Sequence, residues 1–299
     1  MAFLLVPGVH LLDLSGPAQV FSTSAGLGLG YRLHYVAEQP SVTTAQGLVV
    51  QAATSWPELG PDDLVVVPGW RGDTLAGSGP IGPESLAVLR AHHGRGGTVA
   101  SVCAGAEALG RAGLLDGRRC TTHHEHQDEL ARRYPRAHVV RDVLFTEDDR
   151  VVTSAGIASG IDLALHLVAV RHGVAAAARV GRSMVVYARR NGDAAQASAM
   201  LRHRAHLNDC VHRAQDLIDA GFDRPLPLSE LAGAAGVSER TLTRLFNRAT
   251  GTTPLRYQQA LRLERAEHLI AQGTTVESAA RVVGFEDARM LRRLRAGGA

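Results

Sequence analysis

The first part of the chain alternates between short runs of apolar, β-forming residues and stretches with helical periodicity, and this alternation limits the possible folds. The apolar runs are FLLV (3–6), YRLHYV (31–36), DLVVVPGW (63–70) and TVASV (98–102). Helical patterns follow near residues 17–21, at 84–92 and from 103 to about 112. Strands that are apolar throughout are buried on both faces, and parallel sheets covered by helices provide that burial. The pattern predicts an α/β domain with a flavodoxin-like parallel sheet.

The chain length predicts more than this one domain. At 299 residues the chain is long for a single hydrophobic core. The helical pattern that follows the α/β region breaks at NGDAAQAS, residues 191–198. We therefore predict an α/β domain over 1–172, a helical connector over 173–205 and an all-α domain over 206–299.

Charge and cysteine content indicate the environment of the protein. Residues 201–299 hold 15 arginines against 11 acidic residues, whereas residues 1–200 hold 17 against 18. This basic surplus in the last third is compatible with contact to nucleic acid. The three cysteines are widely spaced and form no C-x-x-C pair, which is typical of a reducing cytoplasm. No apolar run approaches the ~20 residues of a membrane span. We expect a soluble protein of the cytoplasm, associated with the nucleoid and not with a membrane.

Chemically active residues follow three of the predicted strands. Asp13, Pro68-Gly69 and Cys103 each stand where an apolar run ends. Parallel sheets place their sites at this edge, so the three are expected to converge. Cys103 lies on a sharp strand-to-helix turn, where a helix N-terminus favours the thiolate and backbone N–H groups form an anion nest. A nucleophilic cysteine also requires an acid or base partner.

The residues around this cysteine resemble a known superfamily. VCAGAEALGRAGLLDGRRCTTHHEH (102–126), DLSGPAQVF (13–21) and TSAGIASGIDLALHLV (153–168) are similar to the ThiJ/PfpI, or class I glutamine amidotransferase-like, superfamily. Enzymes of that superfamily often have histidine directly after the cysteine of this strand-to-helix turn, and another part of the chain contributes an acidic residue. This chain has Ala104 in place of the histidine. Gln19 stands where many relatives carry glutamate, and Trp70 replaces a usual glycine. Isonitrile hydratase-like relatives keep the aspartate that corresponds to Asp13.

The resemblance therefore implies a pocket in which the catalytic set is incomplete. We assign no catalytic residue and no cofactor; if the domain catalyses a reaction, Cys103 and Asp13 carry it. As residues that bind a small-molecule effector we predict Asp13, Gly69, Cys103, Ala104 and His123. The run His123, His124, His126 also suggests a metal, but no carboxylate or cysteine at ligand spacing completes such a site, so none is predicted.

The last third contains the same pattern twice. Residues 226–254 and 274–299 each show apolar residues at helical spacing on both sides of a glycine, Gly236 in one and Gly284 in the other. A short helix, a tight turn with glycine and a second helix form a helix-turn-helix. We predict that the inward side chains of the second copy include Met290 and Leu291. A bridging helix is predicted over 254–273, with Leu255 and Leu261 among its apolar positions.

The outward residues of both copies predict a DNA-binding surface. In the first copy Ser238 is the expected N-cap, and arginine and hydroxyl side chains are left outside the predicted core. The residues predicted to contact DNA are Ser238, Arg240, Thr241, Arg244, Arg248, Asp287, Arg289, Arg292 and Arg293. Two such units joined by a helix can reach successive major grooves of a duplex.

The order of these elements also resembles the AraC/XylS-type DNA-binding domain, including R-L-F…G-x-x-P at 244–254. Members of that family close the second unit with an aromatic residue and a G-x-[ST]-P segment, whereas this chain stops after RAGGA, so its second unit is expected to bind weakly or to contact mainly phosphate. We predict a regulator that binds double-stranded promoter DNA as a homodimer, with an α/β domain that senses a small molecule, mediates dimerisation or does both. The alternatives are a cysteine-dependent hydrolase or hydratase fused to a DNA-binding domain, and a dimer that binds DNA without sensing anything.

Overall fold

The computed structural model describes residues 1–72, 80–186, 192–193, 196, 203–271 and 273–297. Its contacts divide the chain into two units, Met1–Gln196 and Ala197–Ala299. The predicted limits at residues 172 and 205 stay predictions, and part of the predicted connector lies outside the described residues. Among the described residues no helix is both long and apolar enough to cross a bilayer.

The first unit is built on a six-stranded sheet in the order β2-β1-β5-β6-β10-β9. The strands are β1 (Ala2–Leu4), β2 (His34–Val36), β5 (Leu64–Val67), β6 (Thr98–Val102), β9 (Phe145–Asp148) and β10 (Val151–Ser154). All neighbours are parallel except β9, which is antiparallel to β10. The five parallel strands, numbered in chain order, have the order 2-1-3-4-5 of flavodoxin-like folds, which confirms the predicted fold class.

Two small sheets accompany the main one. β3 (Ser41–Thr43) and β4 (Val49–Gln51) form an antiparallel pair, and β7 (Arg119–Cys120) pairs in parallel with β8 (His138–Val139). The sequence analysis did not predict β3, β4 and β7 to β10, because these strands are only two to four residues long.

Helices complete the first unit. They are α1 (Leu11–Gly26), α2 (Pro83–Gly94), α3 (Ala106–Arg111), α4 (Gln127–Arg133), α5 (Ser159–His172) and α6 (Val174–Ser183). The predicted helix near 17–21 is longer than expected and begins before Pro17. Asp13, which was predicted to stand at the end of an apolar run, therefore lies in the first turn of α1. Val180 of α6 is fully buried in the core of this unit, within the range predicted as connector.

Among its described residues the second unit contains helices and no strands. Its helices are α7 (Asp209–Ala220), α8 (Leu228–Ala235), α9 (Glu239–Thr250), α10 (Pro254–Ala271), α11 (Val276–Val282) and α12 (Ala288–Gly297). Helices α8–α9 and α11–α12 are the two predicted helix-turn-helix pairs, and α10 is the predicted bridging helix. Each pair has its own buried cluster, one around Leu242 and Phe246 and one around Val283 and Leu291.

One predicted inward position of the second pair is wrong. Met290 is 40% exposed, while its neighbour Leu291 is fully buried. The two helices of the second pair start one residue further apart in the sequence than the two helices of the first pair. The second turn is thus longer than the first, and this shifts the inward face of α12 by one position. Leu255, in the first turn of α10, is 63% exposed.

One side chain of the bridging helix contacts loops on both sides of it. Arg262 of α10 donates from Nε to the Phe222 carbonyl oxygen at 2.5 Å and from Nη2 to the Arg224 carbonyl oxygen at 2.9 Å. Its Nη1 donates to the Gly284 carbonyl oxygen, in the turn of the second pair, at 2.7 Å. One guanidinium therefore satisfies carbonyl groups from two separate loops. This arrangement fixes the second turn against the loop that precedes α8.

Candidate functional sites

The predicted crevice is present at the carboxyl edge of the sheet. Asp13 on α1, Gly69 after β5, and Cys103 and Ala104 after β6 meet there, and we call these four residues the elbow crevice. A Cβ atom placed on Gly69 would lie 2.5 Å from Asp13 Oδ2 and 2.8 Å from Cys103 Cβ. Only glycine therefore allows the other residues to meet, and the sequence placed these four together correctly.

Cys103 occupies a strained backbone conformation at the turn. Its φ angle is +54°, which is unusual for a residue other than glycine. The Thr122 hydroxyl donates to the Cys103 carbonyl oxygen at 2.7 Å and holds the turn from below. A Cβ atom on Gly156 would approach Cys103 Cβ to 2.4 Å, so a second glycine is needed for this conformation. Such local strain persists only where the surroundings enforce it, and it is frequent at functional sites.

The thiol of Cys103 is protonated at neutral pH. Its pKa is raised to about 12, chiefly by burial and next by the neighbouring Asp13 carboxylate, while the Ala104 N–H acts in the opposite direction. The expected preference for the thiolate is therefore wrong. The residues after the thiol form a three-residue 3-10 turn followed by α3, which is only six residues long. Its dipole is too short to offset the loss of hydration.

Asp13 is a fully buried carboxyl group without a good partner. Its side chain is 0% exposed, and burial raises its pKa from 3.8 to about 7. The Gly69 N–H and the Cys103 thiol lie next to it and lower the pKa in part, but neither makes a hydrogen bond of full geometry. Buried carboxyl oxygens in folded proteins normally have partners, so Asp13 is available to a hydrogen-bond donor.

Histidines lie at the margin of the crevice. The side chain of His123 is 21% exposed, and its Nδ1 is 3.5 Å from Glu125. Burial and the neighbouring His124 lower the pKa of His123. His10 also lowers the pKa of His123, and Glu125 raises the pKa of Cys103. Sequence reasoning missed both His10 and Glu125. Within the described ranges, no three His, Cys, Asp or Glu side chains are arranged to hold a metal ion.

The predicted DNA-binding surface of the first helix-turn-helix is open and carries three arginines. Ser238 caps α9, since its hydroxyl oxygen accepts from the Thr241 N–H at 3.3 Å, as predicted. Arg240, Arg244 and Arg248 are exposed, and in the described part of the chain none of them forms an ion pair. They line a shallow groove of about 670 Å³ with Leu228, Glu239, Thr243 and Asn247. Sequence reasoning missed Thr243 and Asn247, although both share the helical spacing of the arginines.

The corresponding surface of the second helix-turn-helix is partly neutralised. Arg289, Arg292 and Arg293 are exposed as predicted, but Arg292 forms an ion pair with Glu277 of α11. Asp287, also predicted to contact DNA, accepts a hydrogen bond from the Arg289 N–H and so caps α12. Its carboxylate lies 4.0 Å from the Arg289 guanidinium. The two surfaces have similar sequences but differ in the charge that is available to a ligand.

Comparison with known proteins agrees with this division. Residues 1–170 match the DJ-1/PfpI family, and residues 231–295 match a helix-turn-helix domain. The chain belongs to the DJ-1/PfpI family. The DJ-1/PfpI match covers the α/β unit and its elbow crevice. The second match covers both helix-turn-helix pairs, from Leu231 onward.

Relatives of this DJ-1/PfpI protein include one that matches nearly its whole length and one that matches about half of it. The HTH-type transcriptional regulator GbdR of Pseudomonas aeruginosa is 30% identical over 95% of this chain and 77% of its own length. Isonitrile hydratase of Pseudomonas putida is 35% identical, but over only 56% of this chain and 69% of its own length. GbdR, which spans both units, is thus a regulator, while the match to the enzyme is shorter than the first unit alone.

Solved structures show the same fold. A ThiJ/PfpI family protein from Pseudomonas syringae superimposes with a TM-score of 0.55 at 26% identity, over 79% of this chain and 90% of its own. An AraC family transcriptional regulator from Pseudomonas putida superimposes with a TM-score of 0.52 at 24% identity, over 61% of this chain and 97% of its own. The chain is a DNA-binding transcriptional regulator with a DJ-1/PfpI domain and a helix-turn-helix domain, and the enzyme alternative is the less supported of the two.

Proposed function

We propose that α9 reads the bases of an operator in promoter DNA and that the elbow crevice binds the small molecule to which the regulator responds. The observation that carries the first part is the row of Arg240, Arg244 and Arg248, exposed and without ion pairs in the described part of the chain. Arginine binds guanine through two hydrogen bonds, and asparagine binds adenine in the same way, which gives Asn247 a role beside them. A regulator with this function acts at the chromosome, so we place it in the cytoplasm, associated with the nucleoid.

Selection of DNA tests this part directly. The full chain would be incubated with a pool of random-sequence duplexes, and the bound duplexes would be sequenced after several rounds. We expect a shared sequence to be enriched, because base contacts add specificity to the phosphate contacts that all duplexes offer. A pool that remains random after selection at low salt would contradict the proposal.

The effector site is supported by the chemistry of the crevice. The Cys103 thiol is protonated and therefore a poor nucleophile, whereas Asp13 is a buried acceptor in need of a donor. We propose that the effector donates a hydrogen bond to Asp13 and contacts Gly69, Cys103, Ala104 and His123. The same argument disfavours the alternative hydratase function, which requires a thiolate.

Thermal unfolding tests the effector site. Both tryptophans, Trp56 and Trp70, lie in the first unit, so their fluorescence follows that unit within the full chain. A metabolite present at a hundredfold excess over its Kd stabilises the folded state by about 2.7 kcal/mol. We expect one class of donor-bearing metabolites to raise the melting temperature, and Asp13→Asn to remove the shift. If no metabolite stabilises the first unit, the protein binds DNA without sensing, as in the second alternative.

We further propose that the protein is a homodimer. Exposed apolar side chains occur on segments at the carboxyl edge of the sheet and beside it, namely Leu12, Leu48, Val49 and Ile157. Exposed groups of this kind are common at contacts between protein chains. Light scattering is expected to give about twice the chain mass of 31.7 kDa. A mass that stays at that of one chain at micromolar concentration would exclude the dimer.

A further inference from the structure

The second helix-turn-helix contains an acidic side chain at a place where the first has none. When α8 and α11 are aligned at their first residues, Glu277 of α11 corresponds to Ser229 of α8. When α9 and α12 are aligned in the same way, Arg292 corresponds to Thr243. The ion pair of Glu277 and Arg292 therefore joins two positions that in the first pair are serine and threonine.

The corresponding position in the first pair borders an open groove. Thr243 borders the groove that also contains Arg240 and Arg244, and the start of α8 forms its opposite side through Leu228. Glu277 lies one residue after the position that matches Leu228. The Glu277 carboxylate thus lies beside α12 on the side that, in the first pair, corresponds to the open groove beside α9 with its arginines.

Both members of the pair are accessible to solvent and to a ligand. The side chain of Arg292 is 56% exposed and that of Glu277 is 60% exposed. A carboxylate bound to a guanidinium competes with phosphate, since both anions accept the same paired N–H groups. An arginine held in this way must exchange Glu277 for phosphate before it contributes to DNA binding, and the carboxylate itself repels the DNA backbone.

We infer that Glu277 sets the DNA affinity of the second helix-turn-helix by holding Arg292 in an ion pair that competes with a DNA phosphate. The inference rests on the proposed function, because it applies only if the protein binds DNA. It assigns base reading mainly to α9 and makes the contribution of α12 dependent on a single carboxylate. Arg293, which corresponds to Arg244, forms no ion pair within the described part of the chain and is the arginine of α12 most available to phosphate.

The test compares Glu277→Gln with the wild-type full chain on a duplex enriched from the random pool. Affinity would be measured over a series of salt concentrations. Removal of the carboxylate should tighten binding about two- to fivefold at low salt, in line with the energies of exposed ion pairs. One new phosphate contact should also steepen the plot of log K against log salt by about 0.9.

Two further variants make the result specific. The double variant Glu277→Gln/Arg292→Gln should lose the gain and regain the wild-type slope, because the gain depends on the freed guanidinium. Glu267→Gln removes an exposed carboxylate from α10, outside this ion pair, and should leave the slope unchanged. Thermal unfolding checks that each variant is folded.

The outcomes separate the inference from the proposed function. A slope unchanged by Glu277→Gln overturns the inference, and so does a gain that persists in the double variant, which would indicate general charge repulsion. If no duplex is enriched by the wild-type chain, it is the proposed function that fails.

Discussion

The elbow crevice and the surface of α9 both carry ionisable residues, and they differ in how these residues are solvated. Asp13 and Cys103 are buried, and burial raises the pKa of both, so that the crevice holds a poorly partnered carboxyl group and a protonated thiol. Arg240, Arg244 and Arg248 are exposed and keep their charge without ion pairs among the described residues. The crevice is thus suited to recognise a small molecule, and the surface of α9 is suited to attract a polyanion. This holds although the sequence around Cys103 resembles a catalytic motif.

The largest effect that distinguishes the two regions is expected from Asp13→Asn. The carboxyl group has a pKa of 3.8 when exposed and about 7 when buried. The folded state therefore binds a proton more tightly than the unfolded state, and stability is lost as the pH rises from about 4 to about 7. Ionisation above that range costs about 4 kcal/mol, given 1.36 kcal/mol for each pKa unit.

Urea unfolding followed by tryptophan fluorescence measures this effect. Asp13→Asn should match the wild type near pH 4 and become increasingly more stable than it up to about pH 7, with a constant difference above. The control is Asp62→Asn, which removes an exposed carboxyl group from the same unit. A difference for Asp13→Asn that is the same at every pH would show that Asp13 keeps its charge in the crevice.

The next largest effect concerns the packing of the elbow. A Cβ atom on Gly105 would lie 2.1 Å from the Val67 carbonyl oxygen, which belongs to β5 and cannot move independently. Gly105→Ala is expected to destabilise the first unit by about 3 kcal/mol, the upper end of overpacking costs. Gly181→Ala in α6 meets nothing within 4 Å and should stabilise slightly. Equal stability of the two variants in urea would disprove the close approach of β5 to the elbow.

On the other side of the comparison, Arg244→Ala is expected to weaken binding of the selected duplex by about 1–3 kcal/mol if the side chain contacts a base. A contact to phosphate alone would instead reduce the slope of log K against log salt by about one. The matched variant Arg293→Ala, at the corresponding position of α12, should cost less than Arg244→Ala. Titration of both variants over several salt concentrations separates these cases, and a larger loss for Arg293→Ala would reverse the roles of the two helices.

The smallest effect is expected at Cys103. Cys103→Ala should leave DNA affinity unchanged and alter the stability of the first unit by about 1 kcal/mol, because only one buried sulfur atom is lost. Because the thiol is protonated at neutral pH, a thiol reagent at pH 7 should modify the half-buried Cys210 before Cys103. Rapid modification of Cys103 at pH 7 would restore the case for thiol chemistry in the crevice.

Sequence reasoning located most of the site because its signals are local. The apolar runs at 63–70 and 98–102 contain β5 and β6, and the residues that follow them converge as expected for a parallel sheet. Ser238 was recognisable as an N-cap because it precedes an apolar pattern. These features depend on neighbours in the sequence, and the fold preserves them.

The errors arise where distant residues decide. Burial of Cys103 depends on Gly69 and Gly156, which lie far away in the chain, so its raised pKa was not visible at the turn itself. Met290 was predicted inward together with Leu291, but the two helices of the second pair start 12 residues apart and those of the first pair 11, so that only Leu291 is buried. The ion pair of Glu277 and Arg292 likewise requires two helices to be packed before it can be seen.

The central claim is that α9, and not α12, reads the operator. The most direct test measures the affinity of the full chain for the selected duplex and for a scrambled duplex of equal length, with all three arginines of one helix replaced by alanine. The variant of Arg240, Arg244 and Arg248 should bind both duplexes equally, whereas the variant of Arg289, Arg292 and Arg293 should bind both more weakly and keep its preference. A preference that survives the α9 substitutions but disappears with those in α12 would contradict the account.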